Sequence, residues 1–390
     1  MEKFKFIDLF AGIGGFHQAM TALGGECVFA SEIDKYAAET YLVNYGIDPT
    51  NDITKTEAKD IPAHDVLCGG FPCQAFSNAG HKKGFEDTRG TLFFDVARII
   101  EYHKPKFIFL ENVKHLTKHD GGKTWEVIRQ TLIDLGYVLS DEEIISSPDD
   151  LGIPQHRPRI YIMGVRKDLT DKDHLEFIKP VWNKPLSIYS VLDKEADPKY
   201  NITEYEERVF EAWDVFKKGV NVDVFGFPVW VDEFGLDYDY SHFPEWKQDY
   251  VRKIRKLYND HKEFIDKWLD DYKVRDFKLR DRKFEWQAGA GYKSVWETSI
   301  QLRQSGIRCK KTDFFPALVA MVQIPIVAKY RRRLTPRECA RLQSFPESFK
   351  INESDFHAYK QFGNSLNVEL VKYYGKQLFE QVSKDSSKGK

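Results

Sequence analysis

Four short stretches of this chain carry residue types that could act together chemically. The first is Gly69-Gly70-Phe71-Pro72-Cys73-Gln74-Ala75-Phe76-Ser77, which follows an apolar run ending at Cys68. A cysteine just past a strand end, with a rigid proline before it, is presented as a nucleophile rather than packed away. Inert, buried thiols are the plainer reading for Cys27, Cys68, Cys309 and Cys339. The second stretch, Leu110-Glu111-Asn112-Val113, puts a carboxyl group at the end of another apolar run, where it would supply an acid beside that nucleophile. The third, Gln155-His156-Arg157-Pro158-Arg159, places two guanidinium groups just before a strand, a geometry suited to phosphate or carboxylate. Surface ion pairing is the alternative for those arginines. The fourth, Phe10-Ala11-Gly12-Ile13-Gly14-Gly15-Phe16, is a glycine loop between a strand and a helix, with His17 where a dinucleotide fingerprint has its third glycine. Glu32 follows about 20 residues on, where a carboxylate binds ribose hydroxyls. An adenosine without a pyrophosphate is implied, so S-adenosylmethionine fits better than NAD; a tight turn with no ligand is the other reading.

These stretches need a scaffold that brings strand ends together. From Phe4 to about Arg166, short apolar runs alternate with helical spacers. Lys5–Phe10, Cys27–Ala30, Asp65–Cys68, Phe107–Leu110 and Arg159–Met163 read as buried strands, and Phe93–Tyr102 and Thr124–Leu135 as helices. The pattern predicts an α/β fold with a mostly parallel, Rossmann-like sheet, its chemistry in loops at the carboxyl ends of the strands. From Asp168 the alternation stops. Thr203-Glu204-Tyr205-Glu206 is a capping box opening a helix that carries Val209, Trp213 and Phe216. A longer amphipathic stretch bears Trp246, Tyr250, Ile254, Leu257, Phe264, Trp268 and Tyr272, aromatics expected to fill a core. Thr335-Pro336-Arg337-Glu338 opens a further helix. The expected domains are 1–167, binding cofactor and carrying catalysis, 168–330, smaller and with a helical insertion, and 331–385, returning to the first.

Composition narrows the function. With 42% hydrophobic and 30% charged residues, the chain is neither disordered nor fibrous. No apolar run of about 18 residues is present, so no spanning helix or membrane partner is expected. The N-terminus enters a strand at once and leaves no room for a secretory signal. Five scattered cysteines without a C-x-x-C pair predict neither disulfides nor a metal site, and a reducing, cytoplasmic setting. The net charge is −2, yet Val251–Arg333 holds 21 Lys plus Arg against 10 Asp plus Glu, leaving −13 elsewhere. Such asymmetry points to a polyanionic partner or to a solvated helix face.

In order, Phe-Ala-Gly-x-Gly-Gly-Phe, Gly-Phe-Pro-Cys-Gln, Glu-Asn-Val, Gln-x-Arg-x-Arg, Arg337-Glu338-Cys339-Ala340-Arg341 and Gln361-Phe362-Gly363-Asn364-Ser365 resemble the successive motifs of bacterial cytosine-C5 DNA methyltransferases of restriction–modification type. The likeness covers about Lys3–Val165 and Arg333–Leu378, and it implies that 168–330 is a target-recognition domain. It implies an S-adenosylmethionine-dependent fold and transfer of a methyl group to C5 of cytosine in double-stranded DNA, releasing S-adenosylhomocysteine. By the resemblance, Cys73 attacks C6 of a flipped-out cytosine, Glu111 contacts N3, and Arg157 and Arg159 complete the catalytic set, Arg159 beside the base. Phe10, Gly12, Gly14, Glu32, Ile33, Asp52, Ile53, Pro72, Asn364 and Ser365 fall on donor-site positions. Ile33 stands where the family often has an aromatic, so adenine packing is expected to be aliphatic. Residues 74–91 correspond to a loop that closes over DNA.

DNA contacts are expected from Lys82, Lys83 and Arg89 in that loop and from Arg303, Arg308, Lys310 and Lys311 in the basic segment. Ala317 replaces the threonine of the family's Thr-Leu element, and 195–290 carries no assignable motif. A partner restriction endonuclease is implied, and a monomer is expected because one active site serves one strand. Three other readings stand beside this one. A tRNA cytosine-C5 methyltransferase would carry a Cys-Phe-Thr signature, which is absent. A catalytically silent DNA-binding protein conflicts with an intact Cys73 and Glu111. A nicotinamide oxidoreductase conflicts with the missing third glycine.

Overall fold

Short apolar runs bounded by glycine, proline or charge fold as strands, and amphipathic spacers fold as helices between them. The structure, a computed structural model, describes residues 3–72, 92–319 and 323–382. Cys73, Lys82, Lys83 and Arg89, with the expected closing loop at 74–91, lie outside the described residues. The first elements in chain order are β1 (Phe4–Leu9), α1 (Gly15–Ala22), β2 (Gly25–Ser31), α2 (Lys35–Tyr45), β3 (Val66–Gly69), α3 (Leu92–His103), β4 (Phe107–Val113) and α4 (Lys123–Asp134). Next come β5 (Tyr137–Leu139), β6 (Ile144–Ser146), β7 (Gln155–His156), β8 (Arg159–Arg166), α5 (Glu204–Gly219), β9 (Val229–Trp230), α6 (Glu245–Asp260) and α7 (Lys262–Tyr272). The chain ends with β10 (Lys283–Gln287), β11 (Ser299–Arg303), β12 (Gly306–Lys310), β13 (Phe315–Pro316), β14 (Ile326–Val327), β15 (Arg332–Arg333), α8 (Pro336–Leu342), α9 (Asp355–Asn364) and α10 (Val368–Phe379).

The chain divides into two compact units. Unit 1 comprises Met1–Leu186, Pro316–Met321 and Cys339–Lys390. Its sheet runs β2-β1-β3-β4-β8-β5, with β6 also on β8. Strands β2, β1, β3 and β4 are parallel, while β8 is antiparallel to β4. That reversal matters: it returns the start of β8, Arg159, to the sheet end where β4 finishes, pairing Val113 with Arg159. Below the sheet ends lies an apolar core of Ile7, Leu9, Leu67, Phe93, Ile100, Ile108, Leu110 and Ile160.

Unit 2 comprises Ser187–Phe315 and Val322–Glu338. A six-stranded sheet ordered β15-β14-β11-β12-β10-β9 packs its inner face, Phe284, Trp286, Ile300, Ile307 and Cys309, with Val209, Trp213 and Phe216 of α5 and Ile254 and Trp268 of α6 and α7. The expected capping box at Thr203 and Glu206 is formed. The longer amphipathic stretch folds as two helices, α6 and α7, which meet at His261. Trp246, expected in the core, is 60% exposed, because it sits on the first turn of α6 before the helix reaches the buried face.

The unit limits differ from the expected domain limits. Residues 168–186 belong to unit 1: Thr170 Oγ1 donates to the Gln381 carbonyl at 2.9 Å, and Ile178 N to Gln377 Oε1 at 2.7 Å. Residues 331–338 belong to unit 2, where β15 pairs with β14 and Arg332 forms a buried ion pair with Glu338 at 2.7 Å.

Candidate active site

At the carboxyl ends of β1, β2 and β3 lies a cavity of about 390 Å³. Phe10, Gly12, Glu32, Ile33, Asp52, Ile53, Pro72 and Asn364 all line it, so eight of the ten expected donor-site positions converge there. Glu32 directly follows β2. Its Oε2 accepts from Gly12 N at 2.7 Å and its Oε1 from Asp34 N at 2.7 Å, which fixes the carboxylate at the mouth of the glycine loop. Burial raises its pKa, against the pull of those two N–H groups. Ser31 Oγ donates to Asn51 Oδ1 at 2.6 Å and Glu32 N to the Pro49 carbonyl at 2.8 Å, drawing Asn51 and Asp52 to the cavity wall. Asp52 accepts from Thr54 Oγ1 at 2.7 Å and lies 3.0 Å from Lys55, and its pKa falls accordingly. Ile33 is 75% exposed, an aliphatic face open to a flat ring.

Two expected donor-site residues do not line the cavity. Gly14 (φ +83°) is on the reverse of the loop, where a Cβ would stand 2.2 Å from the Tyr45 ring. Ser365 packs behind Gly15, its carbonyl held by Arg157. Conversely, Tyr36, Lys360, His357 and Gln361 line the cavity and were not foreseen. The spacing 357, 360, 361, 364 on α9 is a helical stripe leading to Asn364, and would have revealed all but Tyr36, which lies on α2. Lys360 is paired with Asp34 at 2.6 Å and the Tyr36 ring stacks on His357 at 3.6 Å. Carboxylates outnumber free cations on this wall, which suits hydroxyls and a sulfonium and opposes a pyrophosphate.

The second cluster sits at the adjoining strand ends. Glu111 follows directly after Leu110, which pairs with Gly69 of β3. A Cβ on Gly70 would lie 3.7 Å from Glu111 Oε2, so the carboxyl abuts the backbone that leads through Pro72 to position 73. Arg159 Nε meets Glu111 Oε1 at 2.9 Å, both side chains largely buried. Burial nevertheless dominates and raises the Glu111 pKa, with Arg159 and Arg157 opposing. Asn112, unforeseen as a functional residue, donates from Nδ2 to the Phe71 carbonyl at 2.8 Å and so holds the start of the segment bearing Cys73.

Arg157, expected in the catalytic set, has its guanidinium committed to backbone carbonyls. Its Nη1 donates to the Leu318 carbonyl at 2.6 Å and its Nη2 to the Gly363 and Ser365 carbonyls at 2.7 Å each. Fully buried, it ties three chain segments of unit 1 together. Among the described residues, Arg159 is the cation that pairs with Glu111.

Comparison with known proteins settles the class. The model for C-5 cytosine-specific DNA methylase matches residues 4–380. This chain belongs to that family. The methyltransferase is 38% identical over 384 residues to Type II methyltransferase M.DsaV of Dactylococcopsis salina, covering 98% of this chain and 88% of that protein. It is 37% identical over 395 residues to Type II methyltransferase M.HpaII of Haemophilus parainfluenzae, covering 98% and 90%. The structure of S. pombe Dnmt2 methyltransferase shares the fold, with a TM-score of 0.55 at 21% identity over 97% of this chain and 98% of that one. The enzyme is a DNA cytosine-C5 methyltransferase, and the family's use of S-adenosylmethionine fits the cavity described above. Among the described residues no helix is long and apolar enough to cross a membrane, and no group of three metal-ligating side chains occurs.

The basic segment lies in unit 2. Most cations on α6 and α7 are neutralised by neighbours, as in Lys253–Asp249, Lys256–Asp260 and Lys267–Asp271, each at 2.7 Å, so that face is a solvated one. Arg308 is held by Glu285 at 2.6 Å. Arg303, Lys310 and Lys311 make no ion pair among the described residues; burial, Arg308 and Arg303 together lower the Lys310 pKa.

Proposed function

We propose that this methyltransferase modifies C5 of one cytosine within a specific double-stranded DNA sequence, through a covalent adduct between Cys73 and C6 of a flipped-out base, as the modification half of a restriction–modification system. The observation that carries this reading is the buried Glu111–Arg159 pair against the Gly70 backbone, next to a cavity whose carboxylate sits at a glycine loop.

C5 of cytosine is a weak nucleophile, and a duplex hides it; the base must leave the stack to be reached. Addition of the Cys73 thiolate to C6 turns the ring into an enamine with electron density at C5. Glu111, its carboxyl kept protonated to higher pH by burial, holds N3 and supplies the proton that lets the ring accept the thiolate's electrons. Arg159 orients Glu111 and favours the thiolate over the thiol, whose free pKa is about 8.5. When bound, S-adenosylmethionine supplies the methyl group for C5 and leaves as S-adenosylhomocysteine. Loss of the C5 proton to water, breakage of the S–C6 bond with the electron pair returning to sulfur, and return of the N3 proton to Glu111 restore aromaticity and free Cys73. Glu32 would hold the ribose hydroxyls, and Phe10, Ile33 and Ile53 the adenine. Arg303, Lys310 and Lys311 are the cations free to meet phosphates, with Lys82, Lys83 and Arg89 from the closing loop. The enzyme acts as a monomer in the cytoplasm.

Bisulfite sequencing of duplex DNA incubated with the purified enzyme and S-adenosylmethionine tests the reading. Protection of one cytosine in a single recurring sequence is expected; unprotected DNA, or methylation of RNA alone, would refute it.

A further inference from the structure

We propose that Tyr45, with His17 packed on its ring, is a positioning residue for the methyl donor, holding the glycine loop from behind in the shape the donor cavity requires. The inference rests on reading the 390 Å³ cavity as the donor site.

Gly12 and Ile13 present the front of the loop to the cavity. The reverse of the same turn faces the last turn of α2, where Tyr45 Oη donates to the Gly14 carbonyl at 3.0 Å and approaches the Ile13 carbonyl at 3.2 Å. Gly14 must be glycine for this contact, since any Cβ would collide with the phenol ring. The ring itself is held. It stacks on the His17 imidazole with centroids 3.9 Å apart and 15° between planes, and meets Tyr41 edge-on at 4.6 Å. His17 Nδ1 and Tyr41 Oη are hydrogen-bonded at 2.7 Å, and His17 N donates to the buried Asp8 at 3.3 Å. Burial pushes the His17 pKa down to about 4, so the stacked ring is neutral in the working range. Thus His17, in the place of a third glycine, serves the back of the loop and not the ligand. Packing alone would need only a phenylalanine at position 45. The hydroxyl adds a fixed orientation for the Ile13–Gly14 backbone, whose neighbour Gly12 donates to Glu32.

Tyr45→Phe keeps the ring and removes the donor. Donor KM and the S-adenosylhomocysteine Kd are expected to rise about fivefold, with kcat and the DNA KM within about twofold and an unchanged melting temperature. A donor KM within twofold of wild type overturns the proposal, as does a loss spread equally over kcat, both KM values and thermal stability. Glu32→Gln is measured alongside: if it too leaves S-adenosylhomocysteine binding unchanged, the donor reading of the cavity fails; if it alone weakens binding, only the role of Tyr45 fails. Should Tyr45→Phe not fold, His17 decides. His17→Phe, which keeps a stacked ring, should preserve the donor KM while His17→Ala raises it about threefold; equal values in the two variants overturn the proposal.

Discussion

Glu111 is where residue chemistry can be tested most sharply. Its carboxyl is buried and its pKa raised, so it keeps a proton that an exposed glutamate would have lost. Replacement by Gln retains size and a hydrogen-bond donor but cannot deliver a proton. A loss in kcat of about 100- to 1,000-fold is expected, with DNA affinity preserved in a gel-shift assay. The sign of the pH dependence follows from the direction of the shift. A rate that needs protonated Glu111 falls as pH rises through its elevated pKa, and the residual Glu111→Gln rate should lack that limb. Glu111 was legible in the sequence because a carboxyl group ended a buried strand, and Glu32 because it closed the strand after a glycine loop. Asn112 and Tyr45 were not legible, since each acts on a backbone carbonyl distant in sequence, and nothing in local spacing marks such a contact.

At the scale of elements, the antiparallel β8 explains the order of the motifs. Cys73 comes after β3 in the sequence and Glu111 lies near the end of β4, whereas Arg159 opens β8, and only a reversed strand delivers it to the same sheet end. Strand–helix alternation announced the parallel part; the reversal could have been inferred from that motif order. Asn112 holds the Phe71 carbonyl, two residues before Cys73 in the sequence, so Asn112→Ala should lower kcat about tenfold while leaving the donor KM unchanged in steady-state assays. In unit 2, Thr203 and Glu206 cap α5 reciprocally, and Thr203→Ala should cost about 1 kcal/mol in urea unfolding of the full chain. The apolar spacing does not mark the break at His261, since it continues across it, from Leu257 to Ile265 and Trp268.

At the scale of the whole molecule, two histidines buried as neutral rings tie stability to pH. Burial pushes both His17 and His64 down to about 4, well below their ordinary 6.5. The unfolded chain therefore takes up protons first as pH falls. The stability these residues contribute is complete above about pH 6.5 and is lost on going down to about pH 4, by up to about 1.4 kcal/mol per pH unit for each. Their imidazole signals should titrate near 4 by NMR; titration near 6.5 would refute the burial argument. Division into two units was legible from the change in periodicity, but not its limits, because 168–186 are held in unit 1 by contacts with Gln377 and Gln381 some 200 residues on. The proposed chemistry turns on one event, a bond between the Cys73 sulfur and C6 of an extruded cytosine. The most direct measurement offers duplex oligonucleotides containing 5-fluorocytosine at the modified position, together with S-adenosylmethionine. A fluorine at C5 cannot leave as a proton does, so a one-to-one adduct that survives denaturation should accumulate and map to Cys73. Failure of the active wild-type enzyme to form it would contradict the account.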